Sequence, residues 1–269
     1  MVIVNLWFIP RSRSTALLRC LSNIPGSKVF FEKLTFCDFV NNFPHIFEEG
    51  KVSDDQPLET YEDVLKAVLN NSSPIKIVKD IAGTLKTDDY PKLMTKESVN
   101  IFAFRHPALV ETSVITGHAI PYFEVNKRAG FPVKMNEAYE SMLEMIKYVK
   151  QNCDHEPVVL PGEILCSKEK TIEAVKKIFS LIGIDFDKKY LTWESLDLLD
   201  PTWDSFSLAR ESQNSLGFFE RANKSTQFED SVERDVDIET LSKVKPEIAE
   251  SVKKLTPTYQ SIMGTVSKN

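Results

Sequence analysis

Five short apolar runs rich in β-branched and aromatic residues recur along the chain, and helical patterns fall between them. Val2–Ile9 is the first, Lys28–Glu32 ("KVFFE") the second and Pro74–Ile81 ("PIKIVKDI") the third. Val99–His106 ("VNIFAFRH") and Pro157–Leu165 ("PVVLPGEIL") complete the set. The first reads as a buried strand and the others as further strands. Between them, Ser14–Ser22 places Leu17, Leu18 and Leu21 at helical spacing, and Tyr61–Leu69 does the same with Val64, Leu65 and Val68. Pro107 is expected to open a further helix, where its missing N–H costs little. Asn136–Asn152, Ser167–Ile182 with a serine cap, and Ile238–Leu255 also read as helices. Residues 35–60 and 197–235 show no clear period, and 117–133 read as a loop or lid. Strands separated by helices make an α/β fold of three layers with a central parallel sheet, and ligands are expected at the carboxyl ends of its strands. The 269 residues are expected to form one domain, 1–269.

Charge then narrows the ligand. The net charge is −6, with 27% charged and 42% hydrophobic residues. That balance lacks the basic footprint of a nucleic-acid binder, so none is expected as a partner. An anion site would have to be local. The opening "MVIVNLWFIP" is too short to span a bilayer. It has neither the basic start nor the cleavage site of a signal peptide, so no membrane partner and a cytoplasmic setting are expected. Four cysteines (Cys20, Cys37, Cys153, Cys166) show no metal-binding spacing and read as reduced, buried thiols, with no metal expected.

The corner after the first strand reads "PRSRST" (Pro10–Thr15). A helix begins there, its first-turn N–H groups lack partners, and its dipole favours an anion. Ser12, Ser14 and Thr15 add hydroxyls, and Arg11 and Arg13 add guanidinium forks. The dipole contributes roughly 0.3–1 kcal/mol at an exposed end. A charged hydrogen bond contributes roughly 1.5–3 kcal/mol, so the side chains should dominate. There is no glycine or P-loop lysine, so this is not a Walker A loop. An ordinary helix start, with Ser14 as its cap and solvated arginines, would explain the stretch equally well. A second stretch weighs against that: "FAFRHPALVETS" puts Arg105 at a strand end and Ser113 eight residues on, along the next helix.

The pairing of "PRSRST" with "FRHPxxVxxS" resembles the sulfotransferase family, whose members use 3′-phosphoadenosine 5′-phosphosulfate and have a P-loop NTPase-like fold. The segment Val158–Trp193, with "GEIL" and a helix ending in "LIGIDF", is also similar to that family, so the resemblance runs over residues 1–195. It implies that Arg11, Ser12, Arg13, Ser14 and Thr15 wrap the 5′-phosphosulfate, and that Arg105 and Ser113 hold the 3′-phosphate. Many members have lysine at Arg11, glycine at Arg13 and, near the adenine, tryptophan at Ala16. Their late R-K-G loop has a stand-in in "RANKST" (Arg221–Thr226).

The resemblance implies transfer of a sulfuryl group to a hydroxyl or amine of a small soluble acceptor, leaving adenosine 3′,5′-bisphosphate. Such transfer needs cations at the leaving group, a place for Arg11, and a base for the acceptor proton. Familiar members carry a histidine after the third strand, but "KIVKDIAGTL" has none. Glu32, Asp80 and His118 are the candidate bases. Glu32 is preferred, because related carbohydrate sulfotransferases carry a glutamate there. Glu32 could equally be a surface carboxylate paired with Lys33, Asp80 a strand-end cap, and His118 part of a pocket wall. Trp7, Phe30, Phe31, Phe36, Tyr122 and Phe123 could wall the acceptor pocket, though most read as core. The rival readings are a small-molecule kinase and a nucleotide-binding protein without catalysis.

Overall fold

The computed structural model describes residues 1–42, 59–116, 135–197, 200–205, 220–230 and 246–266. Within them, strands β1 (Val2–Phe8), β2 (Ser27–Phe31), β3 (Ile75–Ile81), β4 (Val99–Phe104) and β5 (Val158–Pro161) form one sheet in the order β2-β3-β1-β4-β5. Every pairing is parallel. All residues of β3 and β4 are buried, including Lys76, Lys79, Asp80 and Asn100, and the rest of both strands is apolar. The main helices are α1 (Ser14–Ser22), α2 (Lys33–Asn42), α3 (Tyr61–Asn70), α4 (Pro107–Thr116), α5 (Met135–Asn152), α6 (Lys168–Ile182) and α7 (Pro246–Met263). They flank the sheet, and α7 packs on α4 and α5. Among the described residues, no helix is long and apolar enough to cross a membrane.

The order of the strands decides where a ligand would sit. From β1 the chain runs outward to β2 and returns to β3; it then crosses β1 to β4 and continues to β5. The direction of winding therefore reverses between β1 and β4, and a crevice opens beyond their carboxyl ends. Arg11 follows β1 and Arg105 follows β4, so both arginines stand at that crevice.

Three expectations change. Residues 35–42 of the stretch that lacks periodicity belong to the helix α2; it begins where Asp80, from β3, accepts its first-turn amides, a signal that lies outside the local sequence. The fifth strand stops at Pro161, whose extended backbone starts a helical turn over Gly162–Leu165. The C-terminal helix runs from Pro246 to Met263; positions 238–245 lie outside the described residues. Other boundaries match closely. Ser167 caps α6 by accepting from the Lys170 amide, and all four cysteines are free thiols, Cys20, Cys37 and Cys166 buried but Cys153 only half-buried. The expected loop at 117–133 lies outside the described residues.

Candidate functional site

β1 ends at Phe8, and the chain turns twice through left-handed backbone before α1: Arg11 has φ 66° and Arg13 φ 65°. Left-handed geometry brings Cβ against the following carbonyl at roughly 1–2 kcal/mol per residue, and glycine would avoid that. Arg13 is also the N-cap of α1 and makes no side-chain capping bond. Ser14 is therefore the first helical residue and not the cap. With no capping side chain and no acidic residue in the first turn, the end of α1 keeps its anion-favouring character. Replacing Arg13 by glycine should relieve the turn. After subtracting glycine's extra unfolded-state entropy, a gain of roughly 0.5–1 kcal/mol is expected in chemical denaturation. No gain would mean that Arg13's contacts offset its strain.

Ser12 is fully buried in this turn, and its Oγ has no hydrogen-bond partner. An unmatched buried hydroxyl costs about 1–3 kcal/mol. Ser14 and Thr15 are buried beside it in sequence. The Arg11 Nε donates to Ser113 Oγ at 3.1 Å, and an Arg105 Nη1 donates to the Arg11 carbonyl at 3.4 Å. The two sequence motifs are thus one cluster, with Ser113 bonded to Arg11. Burial, and then the neighbouring Arg105 charge, holds the Arg11 guanidinium below its ordinary pKa. Arg105 is fixed from behind: Tyr139, fully buried on α5, donates its hydroxyl to the Arg105 carbonyl at 2.5 Å. Tyr139 was not legible as a site residue, since it sits in the apolar stripe of its helix.

Glu32 lies one residue beyond β2 in left-handed backbone, φ 51°. It is buried and forms an ion pair with Lys79 of β3, not with Lys33. Lys33 pairs instead with Asp204, at 2.8 Å, and with Glu59. Lys79 is fully buried, its Nζ 3.7 Å from the centre of the Phe8 ring and 4.6 Å from that of Phe31. Burial lowers its pKa, opposed by the Glu32 carboxylate. The sequence did carry a trace of this pair: a lysine in a strand buried along its whole length needs a partner. Asp80 follows Lys79 and is also buried, with Oδ1 accepting from the Thr35 amide at 2.8 Å and Oδ2 from the Leu34 amide at 3.3 Å. It caps a helix, as the strand-end reading anticipated.

Trp7, Phe30, Phe31 and Phe36 are buried. Phe31 stacks on Trp203, centroids 5.3 Å apart. His118, Tyr122 and Phe123 lie outside the described residues. The "RANKST" segment is seated against residues 193–196, Trp193 and Leu196 donating to the Thr226 and Asn223 carbonyls. Arg19 of α1 reaches the same strap at the Glu194 carbonyl. Among the described residues, no group of three or more histidine, cysteine, aspartate and glutamate side chains could hold a metal ion.

No protein-family model matches the sequence, and no curated protein matches it. Among solved structures, the chain is similar to the sulfotransferase domain of the Synechococcus PCC 7002 olefin synthase. Identity is 14%, coverage is 94% of each chain and the TM-score is 0.40. It is also similar to the sulfotransferase domain of the curacin biosynthetic pathway, with 12% identity, 94% of this chain and 96% of that one covered, and a TM-score of 0.47.

Proposed function

We propose that the chain is an enzyme that binds 3′-phosphoadenosine 5′-phosphosulfate in the β1–β4 crevice and sulfates a hydroxyl or amine of a small acceptor. One observation carries the reading: two motifs almost a hundred residues apart in sequence meet at Arg11, beside a buried serine hydroxyl that has no partner. That arrangement fits a ligand with two separate anionic ends. Ser12, Arg11 and the α1 amides would hold the 5′ end, with Arg13, Ser14 and Thr15 around them. Arg105 and Ser113 would hold the 3′-phosphate.

When bound, the donor supplies an activated sulfuryl group, which passes to the acceptor atom as its bond to the 5′-phosphate breaks, leaving adenosine 3′,5′-bisphosphate. Arg11 would neutralise charge that develops on the departing phosphate. Glu32 would take the acceptor proton, with Lys79 beside it to stabilise the ionised carboxylate. The left-handed backbone at Arg11, Arg13 and Glu32 supports this reading, because strain of that kind gathers where geometry is fixed for function.

Calorimetric titration with adenosine 3′,5′-bisphosphate tests the reading. Binding of this product, and weaker binding of adenosine 5′-phosphate under the same conditions, is the expected result. Binding of ATP with Mg²⁺ but not of the bisphosphate would overturn it in favour of a kinase.

A further inference from the structure

Asp80 and α2 are joined by a reciprocal clamp between two elements. The Asp80 carboxylate accepts the amides of Leu34 and Thr35, and the Thr35 Oγ1 accepts the Ile81 amide at 3.1 Å. The arrangement is that of a capping box, but its halves come from a strand and a helix 45 residues apart in sequence. Glu32 sits immediately before the clamped turn. Its amide donates to the Lys79 carbonyl at 2.7 Å and its carbonyl accepts from the Phe36 amide at 3.0 Å. Its side chain is on Lys79. Residue 79 therefore grips Glu32 directly, and residue 80 grips the helix that follows it.

We propose that Asp80 is a positioning residue: by clamping the first turn of α2 to β3 it holds Glu32 in its left-handed conformation, carboxylate toward Lys79. The proposal rests on the reading of Glu32 as the base. It assigns Asp80 no contact with substrate, since both of its oxygens are taken by backbone amides.

The clamp has a charge dependence. Burial pushes the Asp80 carboxyl up to about 7, against the pull of the Thr35 and Leu34 hydrogen bonds, and the Glu32 charge adds to the rise. The other ionisable groups facing it are the Lys79 ammonium on its own strand and the Cys37 thiol on α2. An ionised carboxylate accepts at both oxygens, whereas a protonated one carries a hydrogen on one of them. One of the two amide bonds therefore weakens as the pH falls through about 7 and that oxygen takes up its proton.

The test is an NMR titration of side-chain carboxyl and backbone amide signals in wild type, Asp80→Asn and Thr35→Val, with adenosine 3′,5′-bisphosphate affinity measured in parallel. In wild type, the Asp80 carboxyl and the Leu34 and Thr35 amides should titrate together near pH 7, and the Glu32 amide and the Lys79 ammonium signal should follow. Asp80→Asn should abolish that shared titration. Thr35→Val, which keeps the carboxylate and removes the reciprocal bond, should shrink the response at Glu32, and it serves alone where the asparagine variant does not fold. A Glu32 signal that ignores the Asp80 titration overturns the proposal. Failure of the bisphosphate to bind any of the proteins would overturn the donor reading and leave the titration result intact.

Discussion

Arg105→Ala should weaken adenosine 3′,5′-bisphosphate binding by ~1.5–3 kcal/mol, roughly ten- to hundredfold, as measured by calorimetry. The loss is that of a charged hydrogen-bonded contact. The fold should survive the change, because what anchors this corner to α5 is the Tyr139 bond to the Arg105 carbonyl, which the alanine variant retains. Ser113→Ala should cost about 1.5 kcal/mol, the low end of that range, since it removes one hydrogen bond to the phosphate where Arg105 can make two. That variant also releases the Arg11 Nε from its partner at 3.1 Å, so any larger loss would report disorder of the 5′ side as well. Adenosine 5′-phosphate lacks the group that Arg105 is assigned, so its affinity, however weak, should be the same in wild type and Arg105→Ala. Equal affinity of both proteins for the bisphosphate would move the 3′-phosphate away from β4.

How far the sequence reaches follows from how local each interaction is. The strands were legible because a parallel strand buried on both faces is mostly apolar, and β1, β3 and β4 are, apart from Asn5, Lys76, Lys79, Asp80 and Asn100. The meeting of the two motifs was legible for a similar reason: hydroxyls and arginines at a strand–helix junction are local in sequence, and Arg105 and Ser113 mark the facing junction. α2 was not legible, because its capping carboxylate comes from β3. The partner of Glu32 is hidden from the local sequence on the same account. Lys33 is its neighbour in sequence, yet Phe31 pairs in register with Lys79, which sets Lys79 beside the end of β2. Nor does a sequence without glycine at positions 11, 13 and 32 announce that the backbone is left-handed there; only the turns between the sheet and the two helices impose it.

The buried ion pair allows structure and catalysis to be separated. Lys79→Met alone should destabilise the fold by about 3–5 kcal/mol, because it leaves the Glu32 carboxylate buried without its cation. Glu32→Gln should cost less. It leaves Lys79 between the rings of Phe8 and Phe31, worth about 0.5–2 kcal/mol to a cation, and burial already disposes the ammonium to lose its proton. The sign of the pH dependence follows. A buried lysine whose pKa lies below its unfolded value binds fewer protons in the folded state, so the Glu32→Gln protein should gain stability as the pH rises. The double variant Lys79→Met/Glu32→Gln should recover part of the single losses, with a coupling of roughly 0.5–3 kcal/mol in a double-mutant cycle of urea unfolding. Such a protein would fold and still bind adenosine 3′,5′-bisphosphate, because Arg11, Ser12 and Arg105 are untouched. If it binds and transfers no sulfuryl group, the Glu32–Lys79 pair acts in the chemistry. If it binds and transfers normally, the pair is structural, and the proton leaves through another group.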